Sequence, residues 1–306
     1  MSDAPRSEKI WMDGELVDWD KANVHVLTHT LHYGLGLFEG IRCYKTDKGS
    51  AVFRLEDHTK RLFDSAKITE IKIPFSQDQI SEAVTQTIQA NKLEECYIRP
   101  LVFLGDNRRG LNSNGAHVRV AIAVWPWGAY LGEDALSKGI RVKVSSFIRH
   151  HENIFMTKAK ICGAYVNSIM AKQEAVNMGY DEALLLDPSG HVAEGSGENV
   201  FIVRNGRLKT PPLTSVLEGI TRDTVFKIAA DKGIEIQEQY FSRDEMYIAE
   251  EAFFTGTAAE LTPISSLDDR IIGDGGMGPI TKSLQTALFE IIRGKNPKYS
   301  SWLSLV

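Results

Sequence analysis

Two segments rich in small residues have the composition of an anion-binding site. In the first, Gly219 and Thr221 stand at the start of a predicted helix, where backbone N–H groups and the helix dipole favour a phosphate. In the second, residues 255–259 read Thr-Gly-Thr-Ala-Ala after a short apolar run, which lets backbone amides approach a ligand closely. Taken alone, each segment is more often an ordinary helix cap or turn.

Two further groups of residues carry ionisable side chains. Residues 191–199 place the carboxylates of Glu194 and Glu198 among glycines between two predicted strands, and the alternative interpretation of this segment is a polar loop. His29 and His32 could face one another on a helix turn, but no third metal ligand lies near them in sequence. We therefore expect no metal site.

Composition and motifs exclude several broad classes of protein. The 306 residues are 43% hydrophobic and 25% charged, which is typical of a globular chain of one or two domains. A net charge of −5 is too small to attract nucleic acid or an anionic membrane over the whole surface. The glycine-rich stretch 34–40 does not follow the GxGxxG pattern, so a dinucleotide-binding fold is not expected.

Cysteine content and apolar runs bear on the location of the protein. Cys43, Cys96 and Cys162 lie at wide intervals, which suits free thiols in a reducing cytoplasm. The longest apolar stretch, 120–132, is interrupted by Pro126 and is too short to span a bilayer. The first ten residues contain no apolar signal core. We expect a cytoplasmic protein with neither membrane nor nucleic-acid partners.

Strands and helices alternate irregularly along the sequence. Strand patterns occur at residues 10–12, 15–17, 41–44, 51–55, 97–104, 118–125, 141–144, 182–186 and 199–203. Helical spacing of apolar residues occurs at 56–67, after Ser76, and at 163–178, 220–232 and 280–292. Turn signals lie at Asp13-Gly14 and Asn205-Gly206, and possible capping boxes at Ser76 with Gln79 and Ser242 with Glu245. This mixed order favours an α+β fold over a regular βαβ series.

Six segments of the sequence form a recognisable series. They are His32-Tyr33-Gly34 with Phe38–Arg42, Tyr97–Pro100, Pro126–Tyr130, Glu194-Gly195 with Gly197–Asn199, Gly219–Asp223 and Gly256–Glu260. In this order they resemble the branched-chain amino acid aminotransferases, which are fold type IV pyridoxal-phosphate enzymes, and the resemblance runs from about Trp11 to the last predicted helix. The Tyr-x-Arg-Pro segment is the one that favours the branched-chain group over D-amino acid transaminases and aminodeoxychorismate lyases of the same fold.

The resemblance implies a two-domain architecture. We expect a smaller N-terminal α/β domain at residues 1–128, a connection at 129–139, and a larger C-terminal domain with a barrel-like β core at 140–306. The cofactor, pyridoxal 5′-phosphate, would lie between the two domains.

The resemblance also assigns residues to the cofactor. Lys160 would hold pyridoxal phosphate as a Schiff base and move a proton during catalysis, although spacing alone does not choose it over Lys158. Glu194 would keep the pyridine nitrogen protonated, with Glu198 as the neighbour that the sequence leaves open. The other expected cofactor contacts are Arg61, with Ile220, Thr221 and Thr257 for the phosphate, and Tyr165 for the phenolic oxygen.

Substrate contacts follow from the same resemblance. Arg99 would pair with the distal carboxylate of glutamate, and Tyr97 with the amides of Thr257 and Ala258 would hold the α-carboxylate. Apolar walls would come from Tyr33, Phe38, Trp127, Tyr130 and Tyr165, each of which could equally be a core residue. Unlike the related sequences, the chain carries two arginines, Arg108 and Arg109, in the loop after Asp106. They leave open the details of the pocket rim and the relative preference for leucine, isoleucine and valine, and the alternative is that both arginines point to solvent.

The expected function is reversible amino transfer between branched-chain L-amino acids and 2-oxoglutarate, with glutamate and the matching 2-oxo acids as the other substrates. The alternatives are a D-amino acid transaminase or an aminodeoxychorismate lyase of the same fold, and a non-catalytic protein that binds a small anion. The resemblance further implies a homodimer in which Tyr33 reaches the partner's site, or a larger homo-oligomer such as a hexamer.

Overall fold

The computed structural model describes residues 6–128, 131–132 and 134–306. Within these residues, the first part of the chain contains seven strands and three α-helices. In chain order these are β1 Lys9–Met12, β2 Glu15–Asp18, α1 His29–Tyr33, β3 Gly36–Phe38, β4 Ile41–Thr46, β5 Gly49–Phe53, α2 Leu55–Ile68, α3 Gln77–Ala90, β6 Cys96–Leu104 and β7 Val118–Trp125.

The remainder of the described chain adds ten strands and five helices. In chain order these are α4 Ala135–Lys138, β8 Ile140–Val144, α5 Tyr165–Asn177, β9 Glu182–Leu186, β10 Val192–Gly195, β11 Asn199–Arg204, β12 Arg207–Thr210, α6 Ile220–Asp231, β13 Ile236–Glu238, α7 Arg243–Tyr247, β14 Glu251–Gly256, β15 Glu260–Leu267, β16 Arg270–Ile271, α8 Pro279–Ile292 and β17 Leu303–Leu305. Among the described residues, no helix is both long and apolar enough to cross a membrane.

The chain divides into two compact units, each made of more than one sequence segment, whereas each expected domain is a single segment. Of the described residues, those within 1–127, 159–164 and 291–306 form the first unit, and those within 128–158 and 165–290 form the second. Two segments expected in the C-terminal domain therefore group with the first unit. The reason is strand pairing, because β17 is antiparallel to β5 and Ile161 forms an antiparallel bridge with Leu37. The expected boundaries at 128 and 140 stay a prediction.

The first unit is built on an antiparallel sheet. Its strands lie in the order β17-β5-β4-β6-β7-β1-β2, and β3 pairs with β6. The central strand β6 is buried along most of its length, and α2 and α3 pack against one another beside the sheet. Apolar residues recur along one face of α2, including Leu55, Leu62 and Ala66, which are all buried.

The second unit contains a closed six-stranded barrel. Strands β10, β9, β8, β15, β14 and β11 pair in that order, and a β10–β11 pairing closes the ring. The pairs β8–β9 and β8–β15 are parallel, whereas the other pairs are antiparallel. The apolar core includes Val142, Leu184, Val200, Phe254 and Ile264. The predicted α+β fold with a barrel-like β core is confirmed.

Local sequence signals gave mixed results. The Asp13-Gly14 turn has positive φ at both residues, as a two-residue hairpin requires. Ser76 forms the predicted capping box with Gln79 at the start of α3. The capping box predicted at Ser242 with Glu245 is wrong.

Side-chain competition explains this error. Oγ of Ser242 bonds the carboxylate of Asp244 and makes no cap hydrogen bond to α7. The Glu245 carboxylate pairs with Nζ of Lys209 at 2.5 Å. The Ser and Glu side chains that a capping box needs are therefore both engaged elsewhere.

Candidate active site

Lys160 lies in a short segment of the first unit that is fixed on both sides by backbone hydrogen bonds. The Lys160 carbonyl accepts the N–H of Phe38 at 3.2 Å, and the Lys160 N–H donates to Oγ of Ser65 at 3.0 Å. Nζ of Lys160 lies 4.8 Å from the centroid of the Phe38 ring. The backbone of Lys160 is thereby held between β3 and α2.

Arg61 lies on the same helix, α2, and its guanidinium is paired with a buried carboxylate. Nε and Nη2 of Arg61 donate to the two oxygens of Glu39 at 2.7 and 2.8 Å. The Arg61 side chain is only 12% exposed, so it is not the surface arginine that helical position alone would suggest. Oγ of Ser65 donates to the Arg61 carbonyl at 2.8 Å. Ser65 therefore contacts the backbone of both Arg61 and Lys160.

Arg99 and three aromatic residues of the first unit lie together. The Arg99 guanidinium carbon lies 4.8 Å from the ring centroid of Phe38, and Nη2 donates to the Tyr97 hydroxyl at 3.3 Å. The Tyr97 and Trp127 ring centroids are 4.5 Å apart. A Cβ at Gly40 would lie 2.0 Å from the Tyr97 hydroxyl, so any larger residue here would displace the Tyr97 ring. The predicted group of Phe38, Tyr97, Arg99 and Trp127 is thus brought together.

Lys158 lies in a different environment from Lys160, in the second unit. Its Nζ donates to the carbonyls of Leu213 and Val216, the latter at 3.2 Å. Burial lowers the pKa of Lys158, and the nearby Glu218 carboxylate opposes that shift. The ammonium group of Lys158 is thus occupied in fixing the chain just before α6.

Glu194 is held in the second unit by three groups. Arg149 Nε lies 2.7 Å from Oε1 of Glu194, and both side chains are nearly buried. Nδ2 of Asn199 donates to Oε2 at 3.1 Å, and the backbone N–H of Leu217 donates to the same oxygen at 3.3 Å. The segment interpreted alternatively as a polar loop is instead a buried strand, β10, followed by a tight turn. A fixed carboxylate beside a cation suits a group that must stay ionised.

Glu198 lies in surroundings that favour its protonated form. Burial raises the pKa of Glu198 to about 8, and the neighbouring Glu182 carboxylate contributes to this rise, whereas the Gly197 N–H opposes it. Glu198 is therefore mainly protonated at neutral pH. The two carboxyl groups that the sequence left open as alternatives therefore have different neighbours, Arg149 beside Glu194 and Glu182 beside Glu198.

The N-terminus of α6 has the features of an anion-binding site. The N-cap residue is Gly219, and the first N–H groups of the helix are those of Ile220 and Thr221, at the positive end of the helix dipole. A Cβ at Gly219 would lie 1.9 Å from Oδ1 of Asn199, so a side chain here would displace Asn199. Nδ2 of Asn199 also donates to the Leu217 carbonyl at 3.0 Å. The same asparagine thus touches Glu194 and shapes the entry to α6.

The remaining predicted residues fall into three groups. Thr257 and Ala258 lie in the turn between β14 and β15, which begins at Gly256 beside the Glu198 side chain. Tyr165 is the first residue of α5. Tyr130 lies outside the described residues.

Tyr33 and the arginine loop make contacts of their own. Tyr33 is 49% exposed on α1, and its ring centroid lies 4.7 Å from that of His29, with the two rings tilted by 46°. Nε2 of His29 pairs with the Gly110 carbonyl, and Nη1 of Arg109 bonds the Asp106 carbonyl. The exposed loop that contains both arginines is thus partly held by backbone carbonyls.

Several residues that shape the site have no assignment from the sequence. They are Glu39, His58, Ser65, Arg149 and Asn199, and each contacts a predicted site residue or its direct partner. A signal existed for two of them, because His58 and Ser65 occupy the buried face of α2 among Leu55, Leu62 and Ala66. Polar residues on a buried face need hydrogen-bond partners.

Comparisons with known proteins identify the family of the chain. The sequence profile described as amino-transferase class IV matches residues 36–267. The chain belongs to the class IV aminotransferases. Within this class, a protein of Pseudomonas aeruginosa strain PAO1 named branched-chain-amino-acid aminotransferase is 55% identical over 306 residues, which are 100% of both chains.

Solved structures of related proteins share the fold of this chain. A branched-chain amino acid aminotransferase of Escherichia coli has a TM-score of 0.96 and 46% identity, and the match covers 98% of this chain and 99% of the other. A branched-chain amino acid aminotransferase of Thermobaculum terrenum, solved in its PLP form, has a TM-score of 0.92 and 35% identity over 98% of this chain and 99% of the other. Both matches extend over nearly the whole chain.

Proposed function

We propose that this class IV aminotransferase transfers amino groups between branched-chain L-amino acids and 2-oxoglutarate, with pyridoxal phosphate as cofactor. The observation that carries this proposal is the placement of Lys160, whose backbone is tied through Ser65 to the helix that bears Arg61. Full-length relatives named branched-chain-amino-acid aminotransferase support the choice of substrate. A related branched-chain enzyme has been solved with N-(5′-phosphopyridoxyl)-L-glutamate.

The donor groups of the chain fit the chemistry of pyridoxal phosphate. Arg61 and the N–H groups of Ile220 and Thr221, with Thr257, would hold the phosphate through charge-assisted hydrogen bonds. Glu194, whose carboxylate is already paired with Arg149, would hold a proton on the ring nitrogen. Tyr165 would donate to the phenolic oxygen. The phosphate, the ring nitrogen and the phenolic oxygen of the cofactor thus each have a proposed partner of suitable chemistry among the described residues.

Lys160 and Glu194 perform the chemical work. Pyridoxal phosphate supplies an aldehyde that reacts reversibly with primary amines and a ring that draws electron density from the α-carbon of the amino acid. Lys160 would offer the amine of the chain to the aldehyde, and its amine, when free, would move a proton between the α-carbon of the substrate and the aldehyde carbon of the cofactor. Glu194 would keep the ring nitrogen protonated during this proton transfer. The phosphate contacts would hold the cofactor in a fixed position throughout the reaction.

The group around Phe38 suits a pocket that must accept two kinds of side chain. Phe38, Tyr97 and Trp127 offer apolar surface for leucine, isoleucine or valine. Arg99, which stacks on the Phe38 ring, would turn its guanidinium to the distal carboxylate of glutamate. Tyr97, Thr257 and Ala258 would hold the α-carboxylate that both substrates share, and Tyr33 and Tyr130 would complete the apolar wall.

We also propose that the chain works as a homodimer or a larger homo-oligomer. Val26, Leu31 and Tyr33 are 71%, 63% and 49% exposed on one stretch of the first unit. Val166 and Ile169 are similarly exposed on α5 of the second unit. Clustered apolar side chains of this kind are typical of subunit interfaces.

The cysteines Cys43, Cys96 and Cys162 are free thiols, which fits the cytoplasm as the proposed location of the protein.

The visible spectrum of the purified protein tests the proposed function. We expect a yellow protein whose visible band fades with L-leucine and returns with 2-oxoglutarate. A D-amino acid transaminase would respond to D-amino acids and not to L-leucine. A lyase would release its product without needing 2-oxoglutarate, and a non-catalytic anion-binding protein would show no spectral change with any amino acid.

The oligomeric state is measured separately. Sedimentation of the wild-type protein should give at least a dimer, and a fully active monomer would contradict the shared site at Tyr33.

A further inference from the structure

The first unit contains a buried polar cluster of Glu39, His58 and Arg61. The Glu39 side chain has no exposed surface, and that of His58 is 2% exposed. Nδ1 of His58 lies 2.7 Å from Oε2 of Glu39, the same oxygen that accepts Nη2 of Arg61. The backbone N–H of Gly40 also donates to this oxygen at 3.2 Å. Both carboxylate oxygens of Glu39 are therefore engaged, Oε1 by Arg61 and Oε2 by Arg61, His58 and the backbone of Gly40.

The charges in this cluster are defined by its surroundings. Burial acts to raise the pKa of Glu39, but the Arg61 guanidinium and the His58 hydrogen bond outweigh it and hold the pKa far below its usual range. Burial lowers the pKa of His58, although the Glu39 carboxylate acts in the opposite direction. Glu39 is thus an anion and His58 a neutral ring, which places the His58 proton on Nδ1 facing the carboxylate.

The pairing has a geometric consequence for Arg61. Two parallel hydrogen bonds from Nε and Nη2 fix the plane of a guanidinium group and its rotation about the side chain. Because Glu39 is itself fixed by His58 and Gly40, the orientation of Arg61 is set before any anion binds. A preorganised cation binds a phosphate more tightly than one that must be ordered on binding. An arginine without this partner would keep its charge and lose its fixed direction.

We propose that Glu39, held by His58, is a positioning residue that orients Arg61 for the phosphate of the cofactor. The proposal rests on the role of Arg61 in the proposed function. Each residue of the Phe38-Glu39-Gly40 segment then has a different role. Phe38 packs on Lys160, the carboxylate of Glu39 orients Arg61, and Gly40, which has no side chain, allows the close approach of Tyr97.

Binding of two probes to the full chain freed of cofactor tests this proposal. Pyridoxamine 5′-phosphate carries the phosphate but no aldehyde, so its binding does not depend on a bond to Lys160, and pyridoxamine lacks the phosphate. We expect Glu39→Gln to weaken the binding of pyridoxamine phosphate at least tenfold and to change that of pyridoxamine less than twofold. Equal loss for both probes would mean a merely structural role. Unchanged or tighter binding of pyridoxamine phosphate would also overturn the proposal.

A double variant separates this proposal from the proposed function. Arg61→Met should itself weaken pyridoxamine phosphate binding at least tenfold, and adding Glu39→Gln should weaken it no further, because Glu39 acts through Arg61. Further weakening in the double variant would overturn the positioning role. If Arg61→Met binds normally, the phosphate role of Arg61 fails, and the positioning role fails with it. If only Glu39→Gln binds normally, the positioning role alone fails.

Two further variants keep the test decisive if Glu39→Gln does not fold. His58→Leu removes the Nδ1 donor, whereas His58→Asn keeps an N–H donor on a short side chain. We expect His58→Leu to weaken pyridoxamine phosphate binding about threefold or more and His58→Asn to restore most of that loss, and no difference between the two would overturn the proposal. Asp57→Asn is the matched control, since Asp57 lies on the same helix and pairs with its N-cap residue Arg54 at 2.6 Å, and it should bind both probes as the wild type does.

Discussion

Replacing Glu198 by glutamine should make the protein more stable at alkaline pH. Glu198 is buried in the second unit, close to Glu182, whose Oε2 pairs with Nζ of Lys172 at 2.7 Å. Glutamine has nearly the same size as a protonated glutamate and cannot ionise. The variant therefore keeps the neutral state that burial favours and removes the charged state that burial opposes.

The sign of the effect follows from the pKa of Glu198, which burial raises from an ordinary value of 4.5 to about 8. Below pH 4.5 the group is protonated in the folded and unfolded chains, and the stability associated with its raised pKa is fully present. As the pH rises toward 8, the unfolded chain releases a proton that the folded chain retains, so stability falls by up to about 1.4 kcal/mol per pH unit. The total is on the order of 5 kcal/mol at most, and it levels off above pH 8.

Urea unfolding of the cofactor-free chain, measured at steps of about one pH unit from about pH 5 to about pH 8, tests this effect. We expect the free energy of unfolding of Glu198→Gln, minus that of the wild type, to increase steadily with pH. Taking this difference removes the contributions of the titrating groups that the two proteins share to the free energy of unfolding. Glu290→Gln, a change at an exposed position on α8, should show no such trend. A difference that does not depend on pH, or a variant less stable than the wild type at the alkaline end, would refute the reasoning.

Three other substitutions test separate parts of the site. Borohydride should fix the cofactor on Lys160, and Lys160→Ala should lose turnover by about 10²- to 10⁴-fold or more, whereas labelling of Lys158 would show that the wrong lysine is assigned. Arg99→Gln should slow the single-turnover reaction of glutamate by about 10- to 150-fold and that of leucine far less, and equal losses would indicate a structural role. Gly219→Ala should displace Asn199 and cost about 1–3 kcal/mol of stability, measurable by thermal unfolding, and an unchanged transition would contradict the close contact.

Regular elements were predictable because their signals are local. The apolar spacing of α2, the capping box at Ser76 and the turn at Asp13-Gly14 each depend on residues a few positions apart. The wrong capping box at Ser242 failed for a local reason as well, since a nearby aspartate took its hydroxyl. Pattern matching detects the donor and acceptor types but not the competition between them.

The choice between similar residues could not be made locally. Lys158 and Lys160 are two positions apart, yet the side chain of one bonds the carbonyl of Val216 and the backbone of the other bonds Ser65. Glu194 and Glu198 differ because Arg149 lies beside the first and Glu182 beside the second. These partners are distant in sequence and become neighbours only through the tertiary fold, so only the family resemblance could select Lys160 and Glu194 in advance.

Helix α2 shows how the fold and the site depend on one another. Its buried face carries His58 and Ser65 among leucines and alanine, and burying such polar groups costs free energy unless each is hydrogen-bonded. Both are bonded, His58 to Glu39 and Ser65 to the backbone of Arg61 and Lys160. Apolar residues at these two positions would pack without needing those partners, so stability alone does not explain them. The polar groups instead connect the helix that carries Arg61 to the carboxylate of Glu39 and to the segment that contains Lys160.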